Sequence, residues 1–156
     1  MKAKIVGISI VVAIVAALIT TIVFVDPIDV SPPSPKDEYE GWNRSGAFAI
    51  NKFEYKVGEN IFIVANNLKP DDIGNVVFVM PNGTTKYIVI PFDGMEKSGF
   101  NQYFKPSLSK NKKICDTNDL IGEWTAVFQG TNYKPIKFNI LNETLQGEES
   151  IFSRIC

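Results

Sequence analysis

The feature that most constrains this chain is an apolar run near its N-terminus. Residues 5–25 form a run of 21 residues without a charged side chain. A helix rises about 1.5 Å per residue, so this run is long enough to cross a hydrocarbon layer of roughly 30 Å. Lys2 and Lys4 precede the run, and Asp26 follows it. Because positive charge stays on the cytoplasmic side, we expect residues 1–4 inside the cell, a single transmembrane helix through the lipid bilayer, and the remaining chain on the extracellular side of the cell membrane.

Proteolytic processing is the alternative to a retained anchor. A cleaved secretory signal has a shorter apolar core, about 7–15 residues, followed by a small-residue site. The segment Phe24-Val25-Asp26-Pro27 has no small residue at the key positions, which favours retention. Lys2-Ala3 approximates the prepilin pattern, but Lys4 departs from it.

The rest of the chain divides into a linker, a domain and a tail. Prolines at positions 27, 32, 33 and 35 predict an extended, semi-rigid stalk over residues 26–45. Apolar segments then recur over residues 46–141, a length that suits one domain. Residues 142–156 form a C-terminal tail.

The pattern of the domain is that of β-structure. Apolar, β-branched and aromatic segments alternate with turn residues, and none shows a convincing helical period. Pro81-Asn82-Gly83 lies between two of these segments and is a strong hairpin signal. The pattern predicts an all-β, antiparallel sandwich of about seven strands. The segments are 47–55, 60–65, 75–80, 84–90, 99–104, 122–129 and 135–141.

The first of these segments changes face part-way along. Phe48 and Ile50 have the opposite parity to Phe53 and Tyr55, so we expect a β-bulge near Asn51-Lys52. The expected core contains Ile61, Ile63, Trp124, Phe128 and Phe138.

Two segments carry a resemblance to a known family. The first segment resembles an early strand of prokaryotic Ig-like domains, including those of the fibronectin III type; it reads Tyr55-Lys56-Val57-Gly58-Glu59-Asn60-Ile61-Phe62-Ile63. The second resembles their penultimate strand; it reads Gly122-Glu123-Trp124-Thr125-Ala126-Val127-Phe128. The resemblance covers residues 46–141 and implies an Ig-like sandwich acting as a binding, spacer or assembly module. The chain lacks the paired core cysteines of antibody domains. One helix followed by one sandwich also resembles small archaeal envelope proteins, including stator components of the archaellum.

Composition excludes several classes of function. The chain has no histidine, which removes His-dependent nucleophile activation and His-rich zinc or blue-copper sites. Net charge is −1, and the only dense basic cluster is Lys110, Lys112 and Lys113, so nucleic acid is not an expected partner. The acidic residues are scattered and no serine lies in a nucleophile-elbow context. We therefore expect no enzyme activity, no cofactor, no metal and no small-molecule substrate.

The chain has two cysteines, Cys115 and Cys156. In an oxidising compartment a small, even number of cysteines indicates a disulfide. The alternative is two independent thiols, one of them on the terminal residue. Ile151, Phe152 and Ile155 give the tail an apolar surface that can dock, which favours the bridge.

Two kinds of surface site are candidates. Asn43, Asn82 and Asn142 each begin an N-x-S/T acceptor pattern for glycosylation. A cluster of apolar side chains is a candidate partner-binding patch, with core packing as the alternative. Its members are Phe92, Met95, Phe100, Tyr103 and Phe104.

Two oxygen-rich loops and a group of lysines have simpler interpretations. Residues 71–75 and 116–119 hold several oxygen ligands that calcium accepts, but Asx turns explain both loops without metal. Lys105 and the cluster Lys110, Lys112 and Lys113 can contact anionic groups, or form a solvated loop.

The sequence thus favours a non-catalytic, membrane-anchored, extracytoplasmic binding or structural module of the cell envelope. Its expected partner is a protein or an envelope lattice. The alternative is an accessory single-pass subunit whose helix docks in a larger membrane complex, because small residues such as Ala13, Ala16 and Ala17 permit helix packing.

Overall fold

The computed structural model describes residues 38–156. The expected cytoplasmic segment, the membrane helix and most of the stalk lie outside the described residues. Within residues 38–156 every regular element is a strand or a single 3₁₀ turn, and no helix is long and apolar enough to span a membrane. The all-β expectation for the domain is therefore confirmed.

Nine strands form two sheets. The strands are β1 (Asn43–Ser45), β2 (Phe48–Ile50), β3 (Glu54–Val57), β4 (Ile61–Ala65), β5 (Ile73–Val79), β6 (Lys86–Asp93), β7 (Phe100–Phe104), β8 (Gly122–Gln129) and β9 (Ile136–Thr144). The four-stranded sheet has the order β1-β2-β4-β7, and the five-stranded sheet has the order β3-β9-β8-β5-β6. Short 3₁₀ turns lie at Lys110–Lys112 and Thr117–Asp119. The strand β1 comes from the segment expected to end the stalk.

The two sheets share one core. Phe48 of β2 stacks on Phe128 of β8 with ring centroids 4.3 Å apart, and Phe78 of β5 meets Phe104 of β7 at 4.6 Å. Each pair joins the four-stranded sheet to the five-stranded sheet, so the sheets pack face to face. All five residues expected in the core are buried, and the Trp124 indole N–H donates to the Leu120 carbonyl at 2.7 Å.

The expected bulge at Asn51-Lys52 is wrong, because the chain changes sheets there. β2 pairs with β4 in one sheet, whereas β3 pairs with β9 in the other. A strand that moves to the opposite sheet must reverse its inward parity to keep burying apolar side chains, which explains the sequence pattern. Asn51 holds the crossing: its Oδ1 accepts the Tyr55 hydroxyl at 2.6 Å and the Phe62 N–H at 3.2 Å.

Two further details differ from the sequence prediction. The number of strands is nine rather than about seven, because β1 is added and the first segment is divided. Strand β3 runs parallel to β9, so the pairing is not antiparallel throughout. The hairpin at Pro81-Asn82-Gly83 is confirmed and joins β5 to β6.

The disulfide between Cys115 and Cys156 is confirmed, with a Cα–Cα distance of 5.1 Å. It fixes a tail that also packs on the domain. Phe152 is buried beside Gly58, and the Ile155 N–H donates to the Cys115 carbonyl at 3.0 Å. The tail therefore completes the core at one end of the domain.

We predict that Cys156→Ser lowers the free energy of unfolding by about 4 kcal/mol, because the bridge constrains the unfolded chain over a sequence separation of 41. Urea denaturation followed by tryptophan fluorescence measures the difference. Reduction of the wild-type protein should reproduce it, whereas Ser153→Ala, an exposed change in the same tail, should alter stability by less than about 0.5 kcal/mol. Equal stability of Cys156→Ser and wild type would contradict the role assigned to the bridge.

Candidate functional site

The outer face of the four-stranded sheet carries side chains that the core does not use. Along β4, Ile61 and Ile63 point inward, so Phe62 and Val64 point outward. The register places Tyr103 of β7 beside Phe62, and Asn101 beside Val64. This face is thus apolar along β4 and gains polar atoms toward β7.

Aromatic side chains cover part of this face. A turn closed by the Trp42 N–H and the Tyr39 carbonyl, 3.2 Å apart, brings both rings over the sheet. Tyr39 meets Trp42 edge-on at 4.8 Å between ring centroids, and Trp42 meets Phe62 at 5.8 Å. Tyr103 lies opposite Phe62 on the neighbouring strand β7 and is 68% exposed. We call Tyr39, Trp42, Phe62 and Tyr103 the aromatic row.

A cleft of about 500 Å³ opens beside the aromatic row. Small residues of the β1–β2 turn and of β2 leave this space, and aromatic, amide and cationic side chains surround it. We call it the Tyr39–Tyr133 cleft. Its lining residues are Tyr39, Arg44, Gly46, Ala47, Phe48, Ala49, Val64, Asn66, Asn67, Lys69 and Tyr133.

A buried carboxylate fixes one side of the cleft. Asp72 is 7% exposed and is the one charged residue buried within residues 38–156. Its Oδ2 accepts the Tyr133 hydroxyl at 2.9 Å and the Lys69 N–H at 2.8 Å. Two loops, β4–β5 and β8–β9, are thereby joined through one carboxylate.

The ring of Tyr133 is also held by contacts with Gly46 and Phe48. Gly46 has φ of +57° and lies so close to the Tyr133 ring that a Cβ atom would overlap it. The same ring contacts Phe48 at 5.9 Å between centroids. Only glycine satisfies both the left-handed backbone and the contact at position 46.

Burial raises the pKa of Tyr133, and the neighbouring Asp72 and Asp71 carboxylates raise it further. The hydroxyl therefore remains a hydrogen-bond donor at pH values where a free tyrosine ionises.

Two side-chain amides lie at the rim of the cleft. Asn66 and Asn67 are both exposed, and Asn67 has a left-handed backbone with φ of 55°. Asparagine tolerates this conformation better than most residues. Each amide offers donors and an acceptor to a ligand, and Arg44 and Lys69 add positive charge.

The expected partner-binding patch is divided in the structure. Phe92 and Phe104 are buried, and Phe100 is half-buried, so these three rings serve the core. Met95 and Tyr103 are exposed, at 73% and 68%. Tyr103 belongs to the aromatic row, whereas Met95 lies in the turn after β6.

The glycosylation candidates occupy different environments. Asn82 and Asn142 are exposed, at the β5–β6 turn and on β9. Asn43 is half-buried, and its Nδ2, the atom that a glycan would occupy, donates to the Lys137 carbonyl at 2.6 Å. The Nδ2 of Asn82 also has a partner, the Thr85 hydroxyl at 2.8 Å, but this contact is exposed and lies within one turn.

The oxygen-rich loops are held by their own side chains. Asp116 accepts the Asn118 N–H at 2.8 Å, and Asp119 accepts the Cys115 N–H at 2.6 Å. Across residues 38–156 no three His, Cys, Asp or Glu side chains are grouped so that they could hold a metal ion.

The lysines near these loops have partners within the protein. Lys105 pairs with Glu148 at 2.9 Å, and the Lys112 ammonium donates to the Tyr87 carbonyl at 2.6 Å. Both contacts fix the segment between β7 and β8 against the rest of the domain.

The cleft residues were not predicted as a site from the sequence. Tyr39 and Trp42 lay in the expected stalk, and Asn66, Asn67 and Tyr133 had the composition of ordinary loops. One available signal was the uninterrupted apolar run of β4, because such a run places Phe62 and Val64 on the face away from the core, where other groups must cover them; in the structure Val64 is buried and Phe62 is half-buried.

We predict that Tyr133→Phe destabilises the fold by about 1–2 kcal/mol at neutral pH, through loss of the hydrogen bond to Asp72. The pKa of Tyr133 is raised in the folded state. The hydrogen bond therefore contributes its full free energy below about pH 10, the pKa of an unfolded tyrosine, and this stabilisation declines as the pH rises through the pKa of Tyr133 in the folded protein. Urea denaturation of wild type and Tyr133→Phe measures the difference. The pH runs from 7 to 11 so that it spans the pKa of an unfolded tyrosine, about 10. Tyr103→Phe is the control on an exposed tyrosine; an equal loss in both variants would contradict the role of Asp72.

No protein-family model, curated protein or solved structure matches this chain. The functional interpretation therefore depends on the cleft, the aromatic row and the disulfide.

Proposed function

We propose that this protein is a non-catalytic, membrane-anchored, extracytoplasmic binding module of the cell envelope, and that the Tyr39–Tyr133 cleft binds a glycan. The observation that carries the proposal is the combination of aromatic rings with exposed amides in one cleft on an outer sheet face. The glycan would belong to the envelope that surrounds the anchored domain.

The chemistry of the cleft suits a saccharide. Aromatic rings present a negative face, which attracts the weakly positive C–H groups on one side of a sugar ring. The amides of Asn66 and Asn67 can each donate to one hydroxyl and accept from another. Arg44 and Lys69 also favour sugars with carboxylate groups.

The groups around the cleft support binding rather than catalysis. The carboxylate of Asp72 is buried and occupied by two hydrogen bonds, from Tyr133 and Lys69. It orders the cleft and keeps the Tyr133 ring in place. A general acid or base would need a carboxylate directed toward the ligand.

Two observations support the extracytoplasmic location. The uncharged run of residues 5–25 follows Lys2 and Lys4, which favours an anchor with its N-terminus inside. The Cys115–Cys156 disulfide is of a kind that persists in oxidising compartments.

We also infer that residues 46–141 are related to Ig-like sandwiches. The first apolar segment is shared between the two sheets, and Trp124 lies in the core on the penultimate strand. Both properties agree with the sequence resemblance of residues 55–63 and 122–128 to that family.

We predict that the full chain in detergent micelles binds members of a panel of neutral and uronic acid-containing oligosaccharides. Tyr39→Ala and Asn66→Ala should each weaken binding about tenfold, equivalent to about 1.4 kcal/mol, because each removes one contact with the sugar. Isothermal titration calorimetry measures the affinities. Phe53→Ala, which removes an exposed aromatic ring outside the cleft, is the matched control.

Binding that is unaffected by the two cleft variants would reject the cleft as the site. Absence of binding across the panel would reject a glycan ligand. If an envelope protein instead co-purifies with the chain and is lost from Tyr39→Ala, the cleft binds protein rather than saccharide.

We predict that protease added to intact cells removes the domain, because residues 26–156 lie outside the membrane. Immunoblotting with an antibody against the domain measures its loss, and a cytoplasmic protein serves as the control for cell integrity. A protected domain would contradict the orientation, and a mature N-terminus near residue 26 would contradict the retained anchor.

A further inference from the structure

The two sheets have four edge strands, and three of these edges are protected. Strand β1 has only three residues and is tied to the opposite sheet through the Asn43 side chain. On β3, Glu59 occupies both backbone groups of Lys56: its Oε2 accepts the Lys56 N–H at 3.0 Å, and its own N–H donates to the Lys56 carbonyl at 3.1 Å. Short strands and charged residues of this kind prevent edges from pairing with other chains.

The edge of β6 is protected by two residues. The Gly94 N–H donates to the Asp72 carbonyl, so Gly94 and every second residue before it on β6 bond to β5. The N–H and C=O groups of the residues in between, which include Pro91 and Tyr87, therefore point away from β5. Pro91 has no N–H to offer, and Lys112 occupies the Tyr87 carbonyl. Val89 also faces away from β5 and has no backbone partner among the described residues, but it lies between these two interruptions, so a strand added here could bond to Val89 alone.

The edge of β7 is open. The N–H groups of Asn66 and Asn51 donate to Ala47 and to Phe62 respectively, so alternate residues of β4 pair with β2. The intervening residues of β4 pair with Phe100, Gln102 and Phe104. By this alternation the N–H and C=O groups of Asn101 and Tyr103 point away from the sheet. Within the described part of the chain, no hydrogen bond reaches them.

The side chains of β7 also leave its edge accessible. Asn101, Gln102 and Tyr103 are three consecutive exposed residues, although alternate residues of a covered strand would be buried. The strand has neither proline nor charge. It therefore lacks the devices that protect β3 and β6.

The sequence of β7 is nearly symmetric about its central residue. Phe-Asn-Gln-Tyr-Phe has phenylalanine at both ends and a polar or hydrogen-bonding residue on each side of Gln102. In an antiparallel pair centred on Gln102, Asn101 of one copy lies opposite Tyr103 of the other. Their outward N–H and C=O groups then form reciprocal bonds, and no like charges meet.

We propose that two copies of this chain associate through β7, forming an antiparallel strand pair with a two-fold axis at Gln102. The occupant of the open edge is thus the same strand of a second copy, and the four-stranded sheets of both copies become one continuous eight-stranded sheet. A closed, isologous contact of this kind uses the edge once and leaves no further edge for growth.

The first test is a cross-link in the full chain in detergent micelles. Gln102 lies opposite itself in a non-hydrogen-bonded pair, where Cα atoms are about 4.5 Å apart and cysteines bridge readily. Gln102→Cys should therefore give a disulfide-linked dimer with a 102–102 peptide identified by mass spectrometry. Val89→Cys, at an exposed position on the protected β6 edge, is the matched control.

The second test measures the dimer dissociation constant by sedimentation of the full chain. Gln102→Lys places two positive charges opposite each other across the axis and should raise the constant about tenfold or more. Val89→Lys should leave it unchanged. Circular dichroism should show that both variants remain folded, since both positions are exposed.

Three results would overturn the proposal: a monomer at all concentrations, cross-linking of Val89→Cys as fast as that of Gln102→Cys, or a dimer that Gln102→Lys does not weaken. The last result would identify the membrane segment or another surface as the contact. Tyr39→Ala should not alter the dimer, so the proposal can fail or succeed independently of glycan binding.

Discussion

The packing of Phe48 is the contact on which the rest of the structure most depends. Its ring stacks on Phe128 and meets Phe92, which lie on two strands of the opposite sheet. It also contacts Phe100 at the start of β7 and Tyr133 at the cleft. One buried ring therefore connects both sheets, the open edge and the candidate site. A change in the core at this position would therefore reach the cleft and the β7 edge as well as both sheets.

The opposite end of the domain is closed by the tail rather than by a strand. Phe152 is buried, Lys105 pairs with Glu148, and the disulfide prevents the terminal residues from leaving. A domain of this size buries a modest fraction of its surface, so a covalent constraint adds usefully to the core. Because a small domain unfolds as one unit, this contribution stabilises all of its parts and can offset an unfavourable backbone conformation at the cleft. The left-handed backbone of Asn67 at the rim of the cleft, with φ of 55°, is one such conformation, because only glycine adopts it without cost.

Much of the fold could be predicted from the sequence, because burial imposes a visible period. The alternation of Ile136, Phe138 and Ile140 with polar residues, and the Asn-Gly turn at position 82, both reflect local physics. The parity reversal after Ile50 was also visible. Its cause was not, because a bulge and a change of sheet produce the same local pattern and only the pairing partners distinguish them.

The candidate site was much less predictable. Asp72 and Tyr133 are 61 positions apart, and the hydrogen bond between them depends on two loops that meet only in the folded domain. The aromatic cluster from 92 to 104 was a clear sequence signal, but most of its rings pack in or against the core. Composition can show that aromatic side chains are abundant, but only the register separates Tyr103, which is outward, from Phe104, which is inward.

The two proposals have a joint geometric consequence. A two-fold axis perpendicular to a continuous sheet keeps the outer faces of both copies on the same side. Tyr103 of one copy would lie opposite Asn101 of the other. The aromatic rows of the two copies would then be adjacent and form one continuous row across the axis. Both clefts would then face the same direction, and a polymeric glycan could contact them together. The second contact would be effectively intramolecular, so a weak single-site affinity would become a strong bivalent one without any new contact within a cleft.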